Sequence, residues 1–129
     1  MALGLALAGC QAGLAGQACP LAGQSPMAQL KLYFGRDIPG GGLVDDAAWK
    51  SFAAGVLTPA FPEGFTVFEA TGQWRDPQTG TVVREPSFVV ERVGVVNGAA
   101  IERVMAAYRA QFHQISVGRL TTGVCAAFD

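Results

Sequence analysis

Hydrophobic and polar residues follow two different periods along the chain, and these periods predict the order of its elements. Leu30, Leu32 and Phe34 alternate with Lys31, Tyr33 and Gly35, the period-2 pattern of a half-buried strand. Two more β-rich runs, 65–75 and 81–93, flank a turn of Asp, Pro and Gly at 76–80. The short run 115–120 predicts a last strand.

Apolar residues recur at helical spacing in two other segments, each of which predicts an amphipathic helix. The first starts after an N-cap at Asp45 or Asp46, and Thr58-Pro59 predicts its end because a residue before proline avoids the α region. The second follows an N-cap at Asn97 and ends at His113-Gln114. The spaced residues are Trp49, Phe52, Ala53, Val56 and Leu57 in the first helix, and Ile101, Val104, Met105, Tyr108 and Phe112 in the second.

The resulting order, β-α-β-β-α-β, predicts an α+β fold. Its simplest arrangement is a ferredoxin-like two-layer sandwich, with a four-stranded antiparallel sheet and both helices on one face. Right-handed crossovers place the first and third strands in the centre of the sheet. The other face of the sheet is then free to bind a partner or a ligand.

The N-terminal segment predicts an exported protein. No charged residue precedes Lys31, and the apolar run 1–10 ends in Leu7-Ala8-Gly9-Cys10, which resembles the cleavage signal of bacterial lipoproteins. We therefore expect a lipoprotein-type signal at 1–10 with lipid on Cys10, a tether at 11–27 and a single domain at 28–129. The run is short and lacks a preceding Lys or Arg, which a start further upstream would explain. An ordinary Ala/Gly-rich tail is the alternative.

This interpretation predicts a protein of the bacterial periplasm, or one that is attached to a membrane only through its lipid. If Cys10 carries lipid, Cys19 and Cys125 remain as an even pair, and we predict a disulfide between them. The chain has no CxxC pair and one histidine, so we expect no metal site and no cofactor. Its net charge is −1 and its nine Lys and Arg residues are scattered, which argues against nucleic-acid binding.

The predicted hairpin carries most of the side chains suited to binding. If Asp76 pairs with Thr81, Gln73 faces Arg84, whereas Trp74 and Glu85 project from the opposite side. Arg and Trp together suit an anionic or aromatic ligand. The alternative is structural: Arg84 and Glu85 join cross-strand pairs and Trp74 caps the core. The candidate ligand or partner residues are Tyr33, Arg36, Gln73, Trp74, Arg75, Arg84, Glu85 and Ser87.

Other polar residues have simpler interpretations. Pro86 lacks a donor and should lie at a bulge or beyond the paired edge of its strand. His113 is expected to cap the second helix, and Tyr108 to lie in the core. Glu69 and Glu91 are expected to point to water. No catalytic residue can be assigned, because the chain has no nucleophile elbow and Ser87 has no Asp-His string near it.

Several local strings together resemble a known family. They are Leu32-Tyr33-Phe34-Gly35, Thr58-Pro59-Ala60-Phe61-Pro62, Gly72-Gln73-Trp74-Arg75, Arg84-Glu85-Pro86-Ser87 and the terminal Cys125. The chain is similar from about Cys19 to Phe128 to a bacterial family of small exported proteins called domain of unknown function 3574. The resemblance implies export and a compact domain, and it transfers no activity, cofactor or catalytic residue.

Two functions from different classes are compatible with these observations. The favoured one is a non-enzymatic, lipid-anchored envelope protein whose domain binds an envelope partner or a small ligand through its open sheet face. The alternative is a cofactor-independent small enzyme with a pocket between the facing sheets of a homodimer. Its acid–base candidates are Tyr33, Arg84, Glu85 and His113.

Overall fold

The computed structural model describes residues 18–129 and confirms the predicted order of elements. The proposed signal segment 1–10, Cys10 and most of the tether lie outside the described residues. The elements are β1 (Ser25–Gly35), α1 (Asp46–Phe52), a π-helical segment (Ala53–Leu57), α2 (Thr58–Ala60), β2 (Thr66–Arg75), β3 (Val82–Gly94), α3 (Gly98–Phe112) and β4 (Gly118–Ala126).

The four strands form one antiparallel sheet in the order β2-β3-β1-β4, so β1 and β3 lie in the centre as predicted. In the paired central parts of β1 and β3, from Leu30 to Phe34 and from Phe88 to Arg92, the even-numbered side chains are buried on the helical side of the sheet. Odd-numbered side chains of these strands therefore project from the opposite surface, which we call the open face. This is the α+β arrangement of a ferredoxin-like sandwich.

Aromatic side chains dominate the core between the sheet and the helices. Phe34 of β1 lies 4.7 Å from Tyr108 of α3 and 5.4 Å from Trp49 of α1 between ring centroids. Trp49 also stacks on Phe88 of β3 at 4.2 Å. Burying such side chains contributes about 1.5–3 kcal/mol each, so this cluster fixes both helices against the central strands.

The first helical segment is longer than predicted, because it does not end at Thr58-Pro59. After Asp45, whose side chain accepts the Ala48 N–H at 2.8 Å, α1 passes into a wider π-helical segment. Thr58 donates its N–H to Ala53, five residues back, and α2 then continues to Ala60. Pro59 lies directly after this widened turn, where the regular hydrogen-bond ladder is already interrupted and its missing N–H matters less.

Two predicted boundaries at the sheet are also wrong. β1 begins at Ser25, inside the predicted tether, because residues 25–27 pair with 124–126 of β4. The last strand begins at Gly118 instead of 115 and runs to Ala126. His113 adopts a left-handed conformation with φ 54° after α3, and the chain needs the following residues to reach the edge of β1.

The predicted disulfide is present and joins the segment before β1 to the end of β4. The Cα atoms of Cys19 and Cys125 lie 5.6 Å apart, and 106 positions separate them in sequence. The bond therefore closes nearly the whole described chain into one loop. Within residues 18–129, no helix is long and apolar enough to cross a membrane.

Candidate functional site

The register of the β2–β3 hairpin places Trp74 and Glu85 on the same face. The Asp76 N–H donates to the Thr81 carbonyl at 2.9 Å, which closes the turn as the sequence suggested. Gln73 then lies opposite Arg84, and both project away from the open face. Trp74 and Glu85, at the alternate positions, project from the open face.

A cleft lies where the hairpin tip rises beside the end of β1, and we call it the hairpin cleft. Its volume is about 750 Å³. The loop Asp37–Pro39 and the segment Gln114–Ser116 form the walls that do not belong to the sheet. Its polar and aromatic lining residues are Tyr33, Asp37, Gln73, Trp74, Asp76, Gln78, Glu85, Ser87, Gln114 and Ser116.

Glycines on the sheet make room for the two side chains at the floor of the cleft. A β-carbon at Gly35 would lie 2.9 Å from both carboxylate oxygens of Glu85. At Gly118 it would lie 3.1 Å from Cβ of Tyr33. These distances are shorter than van der Waals contacts, so the carboxylate and the ring both rest on bare backbone.

The surroundings of Glu85 favour its protonated form. Burial raises the pKa of this carboxyl group most, and the negative charge of Asp37 raises it further. Hydrogen bonds from the backbone N–H of Asp37 and the indole N–H of Trp74 act in the opposite direction, but the pKa remains raised. The Glu85 carboxyl group is therefore harder to ionise in the cleft than in water, and a neighbouring positive charge would favour its ionised form.

Tyr108 fixes the strand beneath Glu85 from the helical side. Its ring is fully buried, and its hydroxyl donates to the Gly35 carbonyl at 2.8 Å. Burial raises the pKa of this phenol, and so Tyr108 acts as a neutral donor. Gly35 is thus held by Tyr108 on one side and covered by Glu85 on the other.

Arg36 does not belong to the cleft. Its Nε donates to the Val44 carbonyl at 2.8 Å and a terminal nitrogen bonds Asp46 at 2.9 Å. Its guanidinium lies 4.5 Å above the centre of the Phe88 ring, on the helical side of the sheet. We therefore assign Arg36 to the packing of the loop against α1, although the sequence made it a binding candidate.

Pro86 lies just beyond the end of the β1–β3 pairing, but it is still paired with Thr71 of β2, so only its β1 side matches the prediction. Its carbonyl accepts the Arg36 N–H at 3.0 Å, while the Arg36 carbonyl accepts the Val44 N–H at 2.8 Å. In a regular antiparallel pair, a non-proline residue at position 86 would donate its N–H to the Arg36 carbonyl. Because the Val44 N–H donates to the Arg36 carbonyl instead, the proline leaves this acceptor satisfied.

The structure brings together only part of the predicted site. Tyr33, Trp74, Glu85 and Ser87 share the open face and line the cleft, and Gln73 borders it. The hairpin arginines do not line it: Arg84 projects from the opposite face, and Arg75 donates to the Gly80 carbonyl at 2.7 Å within the turn. The expected pairing of Arg with Trp around an anionic ligand is therefore not formed.

Several residues of the cleft were not among the candidates from the sequence, and Gly35, Asp37 and Gln114 are the most informative of them. The Gln114 side-chain amide donates to the Asp37 carbonyl at 2.7 Å and links the two walls. This contact joins residues 77 positions apart, so no local pattern reveals it. Gly35 could be recognised in the sequence as the end of the β1 alternation. Its role in the cleft could not, because that role depends on the Glu85 carboxylate of β3.

The remaining polar candidates have structural roles or remain exposed. His113 is the C-cap of α3, and its N–H bonds the Arg109 carbonyl. Glu69 is exposed. Glu91 does not simply point to water, since it accepts a hydrogen bond from Gln29 at 3.1 Å and pairs with Lys31 at 3.3 Å. Within residues 18–129, no cluster of His, Cys, Asp and Glu could hold a metal ion.

Solved structures with the same fold have little sequence in common with this chain. A phage SAM lyase in complex with S-methyl-5'-thioadenosine has a TM-score of 0.59 at 12% identity, covering 82% of this chain and 91% of the other. The apo form of a phage SAM lyase has a TM-score of 0.51 at 12% identity, with coverages of 88% and 98%. CutA from Synechococcus elongatus has a TM-score of 0.51 at 8% identity, with coverages of 79% and 80%.

At these identities the similarity shows the fold alone. No curated protein matches the sequence significantly. The family resemblance seen in the sequence is confirmed, because residues 29–128 match the model of the family described as Protein of unknown function (DUF3574). The match covers most of the chain, and the protein therefore belongs to this family.

Proposed function

We propose that the protein is an exported, lipid-anchored binding protein whose domain holds a small organic ligand in the hairpin cleft. One observation carries the proposal. Trp74 is 46% exposed inside a cleft that the carboxyl group of Glu85 also lines. The cleft therefore offers a ligand both a large aromatic surface and a polar group.

The composition and size of the cleft suit a small molecule. Ligand sites combine apolar and aromatic walls with a few placed polar groups, in volumes of about 300–1,000 Å³. Trp74 and Tyr33 supply aromatic surface here, and Glu85, Ser87 and Ser116 supply polar groups. The phage SAM lyase of the same fold is described in complex with S-methyl-5'-thioadenosine, which supports a ligand of about nucleoside size.

Export is supported by the two ends of the chain. The Cys19–Cys125 bond suits an oxidising compartment, since disulfides are rare in the reducing cytosol. The apolar run before Cys10 suits a lipoprotein signal. Incorporation of labelled palmitate by the full chain in a bacterial host, and its loss in Cys10→Ser, would support the anchor; unlabelled full chain would contradict it.

The binding proposal is tested by a fragment screen with ligand-observed NMR. The screen would use the full chain carrying Cys10→Ser, and its compounds would include S-methyl-5'-thioadenosine. We expect several fragments to bind and to lose binding in Trp74→Ala. Phe68→Ala is the matched control, because Phe68 is a 47% exposed aromatic residue on the open face of the same strand, outside the cleft. No binding fragments, or equal losses in both variants, would contradict the proposal.

A second candidate is the cofactor-independent enzyme, with a second copy of the chain closing the cleft. The observation in its favour is the apolar surface left uncovered on the open face, where Phe68 is 47%, Leu120 50% and Tyr33 42% exposed. Of its predicted acid–base residues, Glu85 and Tyr33 line the cleft, whereas Arg84 and His113 do not.

Light scattering at several concentrations separates the two candidates. A stable dimer that dissociates in Leu120→Arg would support the enzyme candidate. A monomer at every concentration would contradict it and leave the binding proposal in place.

A further inference from the structure

We propose that the hairpin cleft selects organic cations, with Glu85 as the residue that recognises the positive charge and Trp74 and Tyr33 as the contacts to its apolar body. This inference rests on the proposed function and specifies its ligand class. It reverses the expectation from the sequence, in which the hairpin arginines suited an anion.

All the charged residues that line the cleft are acidic. Asp37, Asp76 and Glu85 line it, and no Lys, Arg or His does. Asp76 is occupied in the turn, since its side chain accepts the Gln78 N–H at 2.8 Å. Glu85 and Asp37 therefore supply the negative charge that a ligand meets, and an anion would have to approach both.

The two carboxylates lack a cationic partner at the cleft. None of the four ion pairs of the described chain includes Glu85 or Asp37. Asp37 acts on Glu85 as a like charge and raises its pKa. A cation bound beside them would remove this repulsion, so the free energy of binding includes relief that a neutral ligand cannot provide.

Aromatic faces provide the second element of recognition. Trp74 and Tyr33 are 46% and 42% exposed, and both project from the open face into the cleft. A cation over an aromatic face gains about 0.5–2 kcal/mol depending on its desolvation, and quaternary ammonium ligands are often recognised in this way. The polar lining residues Ser87, Gln114 and Ser116 can bond the remaining parts of a ligand.

The hairpin arginines do not cancel the negative charge of the cleft. Arg84 projects from the opposite face of the sheet, and Arg75 is tied to the Gly80 carbonyl. Arg36, the basic residue that directly follows β1, forms an ion pair with Asp46 on the helical side of the sheet. The alternation of the strands thus separates the basic side chains of the hairpin from its carboxylate.

The inference is tested with choline and its neutral isostere 3,3-dimethyl-1-butanol as probes. Each would be titrated at constant ionic strength into the ¹⁵N-labelled full chain carrying Cys10→Ser, and the indole N–H signal of Trp74 would report binding. We expect choline to bind at least about 10-fold more tightly than the neutral probe, given the added charge and cation–π contacts. Glu85→Gln should remove most of that preference.

Glu69→Gln is the matched control, because it removes one exposed carboxylate from β2 on the opposite side of the sheet. Equal affinities for the two probes, no response to either, or equal effects of the two substitutions would overturn the inference. Fragments that bind the cleft without a preference for cations would overturn this inference alone. Failure of the fragment screen would instead contradict the proposed function.

Discussion

The carboxylate of Glu85 lies on the α-carbon of Gly35, so close that a β-carbon there would be 2.9 Å from both of its oxygens. This contact joins two strands that the hairpin and the β1–β3 pairing bring together. It sets the depth of the cleft floor and the position of its main charged group. The proposed recognition of a ligand by Glu85 depends on this contact.

Gly35→Ala should therefore impair binding more than folding. The φ angle of Gly35 is not positive, so alanine fits the backbone and only the carboxylate must move. We expect a stability loss of about 1 kcal/mol, at the low end for overpacking because the side chain can shift. Fragment affinity for the cleft should fall clearly.

Gly72→Ala is the control for the stability loss alone, since Gly72 also lines the cleft and a β-carbon there meets the Ser87 hydroxyl at an ordinary 3.5 Å. Chemical denaturation would give the stability, and ligand-observed NMR the affinity. Equal affinity for Gly35→Ala and the parent chain would show that the position of Glu85 does not govern binding.

Glu85 should make the stability of the domain depend on pH. Its pKa is raised above the ordinary value of 4.5, mainly by burial and then by the negative charge of Asp37. The folded state then holds the proton more tightly than the unfolded state, so the contribution of Glu85 to stability is greatest at low pH. It declines as the pH rises from about the unfolded value through the folded one.

Glu85→Gln, which cannot ionise, should thus melt at a higher temperature than the parent chain at pH 7. The difference should shrink toward zero below pH 4. Thermal melts of both proteins across this range would measure it. A difference that is constant with pH, or that grows in acid, would be the opposite of what the raised pKa requires.

Tyr108→Phe should destabilise the domain without creating a cavity. Its hydroxyl is buried and bonds the Gly35 carbonyl at 2.8 Å, and loss of such a donor costs about 1–2 kcal/mol. Tyr33→Phe removes a hydroxyl from a 42% exposed ring and should change stability by less than about 0.5 kcal/mol. Urea denaturation of both variants would check this, and equal losses would contradict the assignment.

The Cys19–Cys125 bond should stabilise the domain strongly. It links positions 106 apart in sequence, and removal of a native disulfide typically costs about 2–5 kcal/mol. Replacing both cysteines with serine should lower the midpoint of denaturation, and the parent chain should behave similarly after reduction. An unchanged midpoint would show that β1 and β4 are held by their pairing alone.

Much of the fold could be predicted from the sequence because its signals are local. The alternation at 30–34, the Asp45 cap and the turn at 76–80 each depend on neighbouring residues. The boundaries at Ser25 and Gly118 could not, because they are set by pairing between strands at opposite ends of the chain. The π-helical segment that carries the first helix past Thr58 has no comparable local signal.

The candidate site could be predicted only in part for the same reason. Strand alternation placed Trp74 and Glu85 on one side of the hairpin, which the structure confirms. It could not show that Asp37 and Gln114 meet across 77 positions. Nor could it show that Arg36, adjacent to the cleft in sequence, turns to the helical side to pair with Asp46.

The most direct test of the account follows the two tryptophan indole signals during binding. The chain has only Trp49 and Trp74, and Trp49 is buried in the core. The tightest compound from the fragment screen would be titrated into the ¹⁵N-labelled chain. We expect the Trp74 signal to shift to saturation while the Trp49 signal stays in place. A bound compound that leaves Trp74 unmoved would show that the hairpin cleft is not the binding site.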